Sequence, residues 1–360
     1  MARRRIALIG CGFIGRYHAA AIRNLIRLGA VDAELVVLCD LDEGRARSLA
    51  AQSVGAAVST DAADAISRPD VDIVYVCVPT AQHKDLVVRA AAEGKDIFCE
   101  KPLAAALSDV EEMAGAVGRA GVRAGVGLVL RHSPILNVLK SLTEDATLGR
   151  LMAIVFRDDQ FFPVQGHCDS EWRKDRRIAG AGTLLERSIH DVDVMRWLAG
   201  EVHSVRGSTR NFADFEGIED LAVASLRFQS EALAELVSIW HSVLGRASTR
   251  HIELFYENGV FIVDDDFLGP IQCQVHAMNA RTMTAGEVRE RYLELTGLDP
   301  RLLADGLRYS LEDYFLLRAL SEERDPFPGF EAAVEAHRVI DAVYRSAAAG
   351  GAEVPVSGGG

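Results

Sequence analysis

Residues 5–15 constrain this chain more than any other stretch. Arg5 to Ile9 is a short apolar run rich in β-formers, and it leads directly into Gly10-Cys11-Gly12-Phe13-Ile14-Gly15. Ile14, Ala21, Ile22, Leu25, Ile26 and Leu28 then recur at helical spacing. Gly-x-Gly-x-x-Gly between a strand and a helix has a physical reading. Gly10 permits a tight turn, Gly12 lets the backbone approach a pyrophosphate, and Gly15 lets helix and strand pack closely. The phosphates meet N–H groups of Phe13, Ile14 and Gly15 at a helix N-terminus, so these residues are expected to bind a dinucleotide.

The next strand, Glu34 to Cys39, ends at Asp40, 25 residues after Gly15. A carboxylate there can accept from both ribose hydroxyls and repels a 2′-phosphate, which favours NAD over NADP. Asp42 suits the cap of the following helix better, leaving Asp40 for the ribose. Strand and helix patterns go on alternating. Asp72 to Val78 is a buried strand stopped by Pro79, Ala81 to Ala92 a helix ended by Gly94, and Asp96 to Cys99 a strand running into Glu100-Lys101-Pro102. A helix capped by Ser108 and a strand at Val122 to Val126 follow. Such alternation makes a parallel, doubly wound α/β sheet with its ligand at the C-terminal strand ends, where Gly10, Asp40, Pro79, Thr80 and Lys101 fall. A Lys-Pro pair after a strand is commonly a solvated charge and a turn; this location gives Lys101 a chemical use.

Past residue 130 the texture changes. A helix at 135–142 and a strand at 151–156 lead into an irregular stretch containing Gly166, His167, Trp172 and Arg173. Gly180-Ala181-Gly182 then opens a helix expected over Leu184 to Leu198, on which Glu186 and His190 stand four apart and share a face. Strand-like runs at 202–206, 221–228, 232–240, 250–256 and 260–263 predict a large, mostly antiparallel open sheet in an α+β domain. Helices at 307–321 and 330–347 close the pattern, with a short extended piece at 354–356. A chain of 360 residues calls for two domains, expected at 1–128 and 129–360.

A net charge of −13 argues against a nucleic-acid or anionic-membrane partner, and no apolar run approaches the ~18 residues that span a bilayer. The six cysteines contain no C-x-x-C pair, which fits reduced thiols and a cytoplasmic protein. His167-Cys168, His241 and His251 lack metal-ligand spacing, so no metal is expected.

These separated motifs carry a resemblance. Gly10-x-Gly12-x-x-Gly15, Pro79-Thr80-Ala81-Gln82-His83, Gly94-Lys95 to Glu100-Lys101-Pro102, Leu148-Gly149-Arg150, and Gly180-Ala181-Gly182 through Glu186 to His190-Asp191 span nearly the whole chain. It resembles the glucose–fructose oxidoreductase, inositol dehydrogenase and rhizopine-catabolism (Gfo/Idh/MocA) family. The resemblance implies a Rossmann domain followed by a substrate domain whose open sheet often mediates homo-dimers or homo-tetramers. It places the catalytic lysine at Lys101 and the catalytic histidine at His190, with Glu186 where aspartate is common. Thr80, His83 and Glu100 then belong to the nicotinamide ribose side, and Arg131 and Trp172, with Glu186 and His190, to the substrate.

The implied reaction is hydride transfer between nicotinamide and a carbinol or keto carbon of a sugar, sugar derivative or cyclitol. His190 would be the general base, Lys101 a hydrogen-bond donor to the reacting oxygen, and Glu186 the holder of His190 or of a second hydroxyl. Two other readings keep the scaffold: a dehydrogenase of a non-sugar substrate, such as a dihydrodiol or nucleotide-linked keto sugar, and a non-catalytic dinucleotide sensor. Retention of both Lys101 and His190 speaks against the sensor.

Overall fold

The computed structural model describes residues 3–165, 170–303 and 310–356. The chain divides into two compact units, Met1–Val129 with Arg301–Val334, and Leu130–Pro300 with Glu335–Gly360.

The first unit is built on six strands: β1 (Arg4–Ile9), β2 (Ala33–Cys39), β3 (Ala57–Ser59), β4 (Ile73–Val76), β5 (Asp96–Cys99) and β6 (Ala124–Val126). They pair in parallel in the order β3-β2-β1-β4-β5-β6, so the chain reverses direction across the sheet between β1 and β4. This is the doubly wound arrangement in which a nucleotide lies at the strand ends flanking the reversal. Residues of β1 and β4 are buried on both faces, as continuous apolar runs require. One face packs Val74, Val76, Ile97 and Cys99 with the helices His83–Ala92 and Leu107–Ala120. The other packs Leu8, Leu38, Tyr75 and Phe98 with Ile22 of the helix Phe13–Arg27. Leu316, Leu317 and Leu320 of the helix Ser310–Ser321 join that second layer, although they lie almost two hundred residues beyond β6 in sequence. β3 and the helix Ala62–Ser67 are additions to the expected pattern. Ser108 is not a cap: the helix starts at Leu107 after Ala106, with no side-chain cap.

The second unit carries nine strands. They are β7 (Leu151–Phe161), β8 (Val202–Arg210), β9 (Leu221–Phe228), β10 (Leu233–His241), β11 (Thr249–Tyr256), β12 (Gly259–Val263), β13 (Ile271–Val275), β14 (Arg281–Met283) and β15 (Val354–Pro355). Their order is β14-β13-β12-β11-β7-β10-β9-β8-β15, antiparallel throughout except for the pair β7 and β10. Burial alternates cleanly along β9 and β10. Ala222, Ala224, Leu226, Ala234 and Leu236 face the core, while Val223 and Leu233 face outward. β13, β14 and the helix Ala285–Thr296 were not expected; β13 and β14 are only five and three residues long, so neither gives an extended alternating run. No helix among the described residues is long and apolar enough to cross a membrane.

Candidate functional site

The fingerprint turn has the geometry its glycines demand. Gly10 has φ +96°, and a Cβ there would lie 2.4 Å from the Cys77 carbonyl oxygen. A Cβ on Gly15 would lie 1.9 Å from the Gly10 carbonyl oxygen, so the helix and the turn touch backbone to backbone. Gly12 is different: no protein atom comes within 4 Å of its added Cβ. Its backbone faces open space at the start of the helix Phe13–Arg27, which no side chain caps and whose first turn holds no acidic residue. A negatively charged diphosphate fits there, held by helix N–H groups in a position a side chain would fill. Asp40 follows β2, and its carboxylate accepts from the Cys11 N–H at 2.7 Å and the Asp42 N–H at 2.9 Å. Each oxygen keeps a further lone pair for a hydroxyl donor. Asp42 is the helix cap, accepting from the Gly44 and Arg45 N–H groups.

The remaining predicted residues of this unit follow the ends of β4 and β5. Pro79 precedes a single 3-10 turn at Thr80–Gln82, and Thr80 is buried. His83 is buried beneath that turn with Nδ1 2.9 Å from the Pro102 carbonyl oxygen and Nε2 2.8 Å from that of Val78. It thereby ties the loop after β4 to the loop after β5. Glu100 is buried as well, and its Oε2 accepts from the Lys101 N–H at 3.0 Å. Lys101 is half-buried, and the Lys101–Pro102 peptide bond is cis. Gly127 makes room for this loop, since a Cβ there would meet Glu100 Oε2 at 2.9 Å.

In the second unit the expected single helix is two. A four-residue helix, Thr183–Glu186, stops at Arg187 and Ser188, and a second runs from Ile189 to Ala199. Glu186 and His190 therefore do not share a face of one helix. Glu186 ends the first helix and His190 begins the second, both buried. The reason lies in β8–β9 and β10. Glu219 reaches back so that its carboxylate accepts from the Gly182 N–H at 2.8 Å and the Leu184 N–H at 3.0 Å, capping the short helix from outside it. Tyr344 donates to the same carboxylate at 2.8 Å, and burial pushes the Glu219 pKa up. Ser188 is drawn aside by its hydroxyl's bond to Ser238 Oγ at 2.7 Å. Gly182 is glycine because a Cβ would lie 1.8 Å from the Glu219 carbonyl oxygen: the close approach is to the protein's own backbone.

Sequence reasoning missed Arg173 as a partner. Its Nε donates to Glu186 Oε2 at 3.2 Å while its guanidinium stacks 4.4 Å over the Trp172 ring. An acid-and-arginine pair thirteen residues apart across an irregular stretch leaves no periodic trace. Arg131 is committed to a two-pronged ion pair with Asp193, at 2.7 and 2.8 Å, and lies 5.0 Å from the centre of the Trp197 ring. Asp191, next to His190, bonds Arg250 instead. His241 lies beside Asp159 and His251 between Glu253 and Asp264; His167 and Cys168 lie outside the described residues.

Residues 4–128 match an oxidoreductase family with an NAD-binding Rossmann fold, and residues 136–262 match the GFO/IDH/MocA C-terminal domain. The myo-inositol 2-dehydrogenase of Thermotoga maritima is 32% identical over 268 residues, covering 72% of this chain and 75% of that protein. A levoglucosan dehydrogenase from Pseudarthrobacter phenanthrenivorans is 25% identical, covering 97% of each chain. Among solved structures, an oxidoreductase domain protein from Kribbella flavida superposes with a TM-score of 0.89 at 26% identity, covering 99% of this chain and all of that one. A levoglucosan dehydrogenase in complex with NADH and levoglucosan has the same fold, with a TM-score of 0.87 at 22% identity over 99% of this chain and 100% of that one. The chain belongs to the Gfo/Idh/MocA family of NAD-binding oxidoreductases.

Proposed function

We propose that this protein is a dehydrogenase or ketoreductase that moves a hydride between nicotinamide and a CH–OH carbon of a sugar, sugar derivative or cyclitol, with NAD preferred over NADP. The observation that carries the reading is the fingerprint turn, whose Gly12 backbone faces open space at the uncapped start of the helix Phe13–Arg27. A bound nicotinamide would supply or accept the hydride. The protein's part is proton handling and charge. His190 takes the hydroxyl proton, histidine being the residue type that gains and loses a proton nearest neutral pH. Lys101 donates a hydrogen bond to the oxygen as negative charge develops on it. Glu186, held by Arg173 beside Trp172, orients His190 or a second hydroxyl. The named relatives act on inositol and levoglucosan, which supports a polyol-like substrate.

Asp40 supports the NAD preference through its remaining acceptor capacity and its charge. The outward face of the nine-stranded sheet, with Val155, Val223 and Leu233 exposed, supports assembly of identical copies through that sheet. The free Cys11, Cys39, Cys77, Cys99 and Cys273 support a reducing, cytoplasmic setting.

The test is a polyol and sugar panel scored by NADH absorbance, run in parallel with NADP. Lys101→Ala and His190→Ala should each lower turnover by at least ~10²-fold while NADH still binds. Undiminished turnover in either variant refutes the assigned chemistry. A preference for NADP refutes the reading of Asp40, and a chain that binds NADH yet turns over nothing on the panel points to the sensor.

A further inference from the structure

Beneath the Glu100–Lys101 loop lies a buried polar cluster that the proposed chemistry does not use. His18 stands one turn beyond Gly15 on the fingerprint helix and is 2% exposed. Its Nδ1 is 2.9 Å from Asp313 Oδ1 and its Nε2 is 3.0 Å from Glu100 Oε1. Carboxylates accept hydrogen bonds, so a ring that satisfies both as donor is the imidazolium. Phe98 and Tyr75 close its sides, with ring centres 4.8 and 5.7 Å away in edge-on contact. The groups facing this ring are Glu312 and Asp313 on the helix Ser310–Ser321, Tyr75 on β4 with Cys77 just beyond it, and Glu100 and Lys101 after β5. Among the described residues, Glu312 Oε2 and Asp313 Oδ2 are buried without a hydrogen-bond partner.

Three carboxyl groups around one buried cation cannot all be charged at low cost. Burial drives the Glu312 carboxyl well up and raises Asp313, with the His18 charge opposing both shifts. Burial would raise Glu100 too, yet the His18 hydrogen bond and charge hold it below the ordinary carboxyl range. Burial alone would make His18 neutral, but Asp313 and Glu100 hold it well above its usual value. The ionised Glu100 then has one oxygen on His18 and the other on the Lys101 N–H.

We propose that His18 is a positioning residue for Lys101, its imidazolium clamped between Asp313 and Glu100 and acting on the lysine through the Glu100 bond to the Lys101 N–H. The clamp joins three separate parts of the first unit: the helix that begins at the cofactor turn, the loop that carries the lysine, and a helix from far along the chain. It transmits no proton to substrate. Its effect is to keep Glu100 an acceptor, so that the Lys101 backbone has one position. The turnover part of this inference rests on the dehydrogenase reading above; the backbone part does not.

The experiment compares His18→Gln and Asp313→Asn with the parent enzyme. Gln retains a donor but no charge; Asn retains an acceptor for His18 but removes the anion that stabilises it. The first readout is amide hydrogen exchange at Lys101, with Val37 of β2 as the internal reference. Loss of a hydrogen bond to a charged acceptor should speed exchange at Lys101 by about tenfold while Val37 is unchanged. The second readout, on any substrate the panel yields, is a split in which kcat falls by about tenfold while KM and the NADH Kd stay within about twofold. Unaltered exchange at Lys101 in both variants overturns the proposal, as does unaltered kcat in an active enzyme. Should the panel yield no substrate, exchange at Lys101 alone decides, and Asp313→Asn serves if His18→Gln fails to fold.

Discussion

Asp191 gives the second unit a pH dependence that a single atom can remove. Its side chain is fully buried beside His190, with Oδ1 accepting from Arg250 Nε at 2.7 Å and Oδ2 left without a partner among the described residues. Arg250 also bonds Asp266 at 2.6 Å and Asp158 at 3.2 Å, and Asp158 is gripped by Arg187 at 2.7 Å. Burial first, and then the neighbouring Asp158 charge, push the Asp191 carboxyl up to about 7, while Arg250 and Arg187 oppose the shift. Burial would raise Asp158 as well, but the charges of Arg187 and Arg250 hold it below the ordinary carboxyl range, so it stays ionised through the neutral region.

Between the ordinary aspartate value and about 7 the folded chain holds a proton that the unfolded chain has lost. Stability from this group is therefore complete in acid and falls as pH rises, by about 1.4 kcal/mol per pH unit, until Asp191 ionises. Asp191→Asn imitates the protonated acid: it keeps an acceptor for Arg250 and a donor toward Asp158, and it cannot ionise. From pH 5.5 to 7 the variant should gain about 2 kcal/mol on the parent, with no further gain above about 8. The three tryptophans, Trp172, Trp197 and Trp240, all lie in the second unit, so urea unfolding followed by tryptophan fluorescence reads the unit that holds Asp191. Other titrating groups are common to both proteins and cancel in the difference. Parallel stability curves for the two proteins between pH 5.5 and 8 would refute the argument.

The fingerprint glycines separate by what surrounds them. Gly12→Ala should leave the melting temperature unchanged but weaken NADH binding by about tenfold, roughly 1.4 kcal/mol, in a fluorescence titration. Gly15→Ala, whose Cβ would lie 1.9 Å from a carbonyl oxygen, should lower the melting temperature of the NAD-free protein; equal melting temperatures for the two variants would contradict the packing. Asp193→Ala should cost about 3–5 kcal/mol, because it leaves the Arg131 guanidinium 8% exposed and without its bidentate anion. An Arg131→Met, Asp193→Leu double variant should recover most of that loss in the same urea assay; no recovery would mean the pair contributes more than charge compensation.

The first unit was legible because its signals are local. The strand–turn–helix at residues 5–27 states a pattern and a backbone conformation within one βα unit, and the alternation that follows demands a parallel sheet. The alternating runs of β8 to β12 were legible for the same reason, one face being buried and the other not. Lys101 was placed by its position at a strand end. The broken helix at 187–188 was not readable, because continuous apolar spacing from Leu185 to Leu198 is compatible with one helix. The break follows from Glu219, in the connection before β9, and Ser238 of β10, which approach from elsewhere in the chain.

What the sequence determined by itself, then, is whatever rests on spacing along the chain: the fingerprint turn, the strand–helix alternation of the first unit and the alternating strands β8 to β12 of the second. What only the tertiary structure decided is which charge meets which. Asp313 lies 295 residues from His18, Asp193 lies 62 from Arg131, and Arg250 lies 59 from Asp191. No periodicity records these pairs. They form because burial makes an unpaired charge costly, and folding brings to each one a partner from elsewhere in the chain.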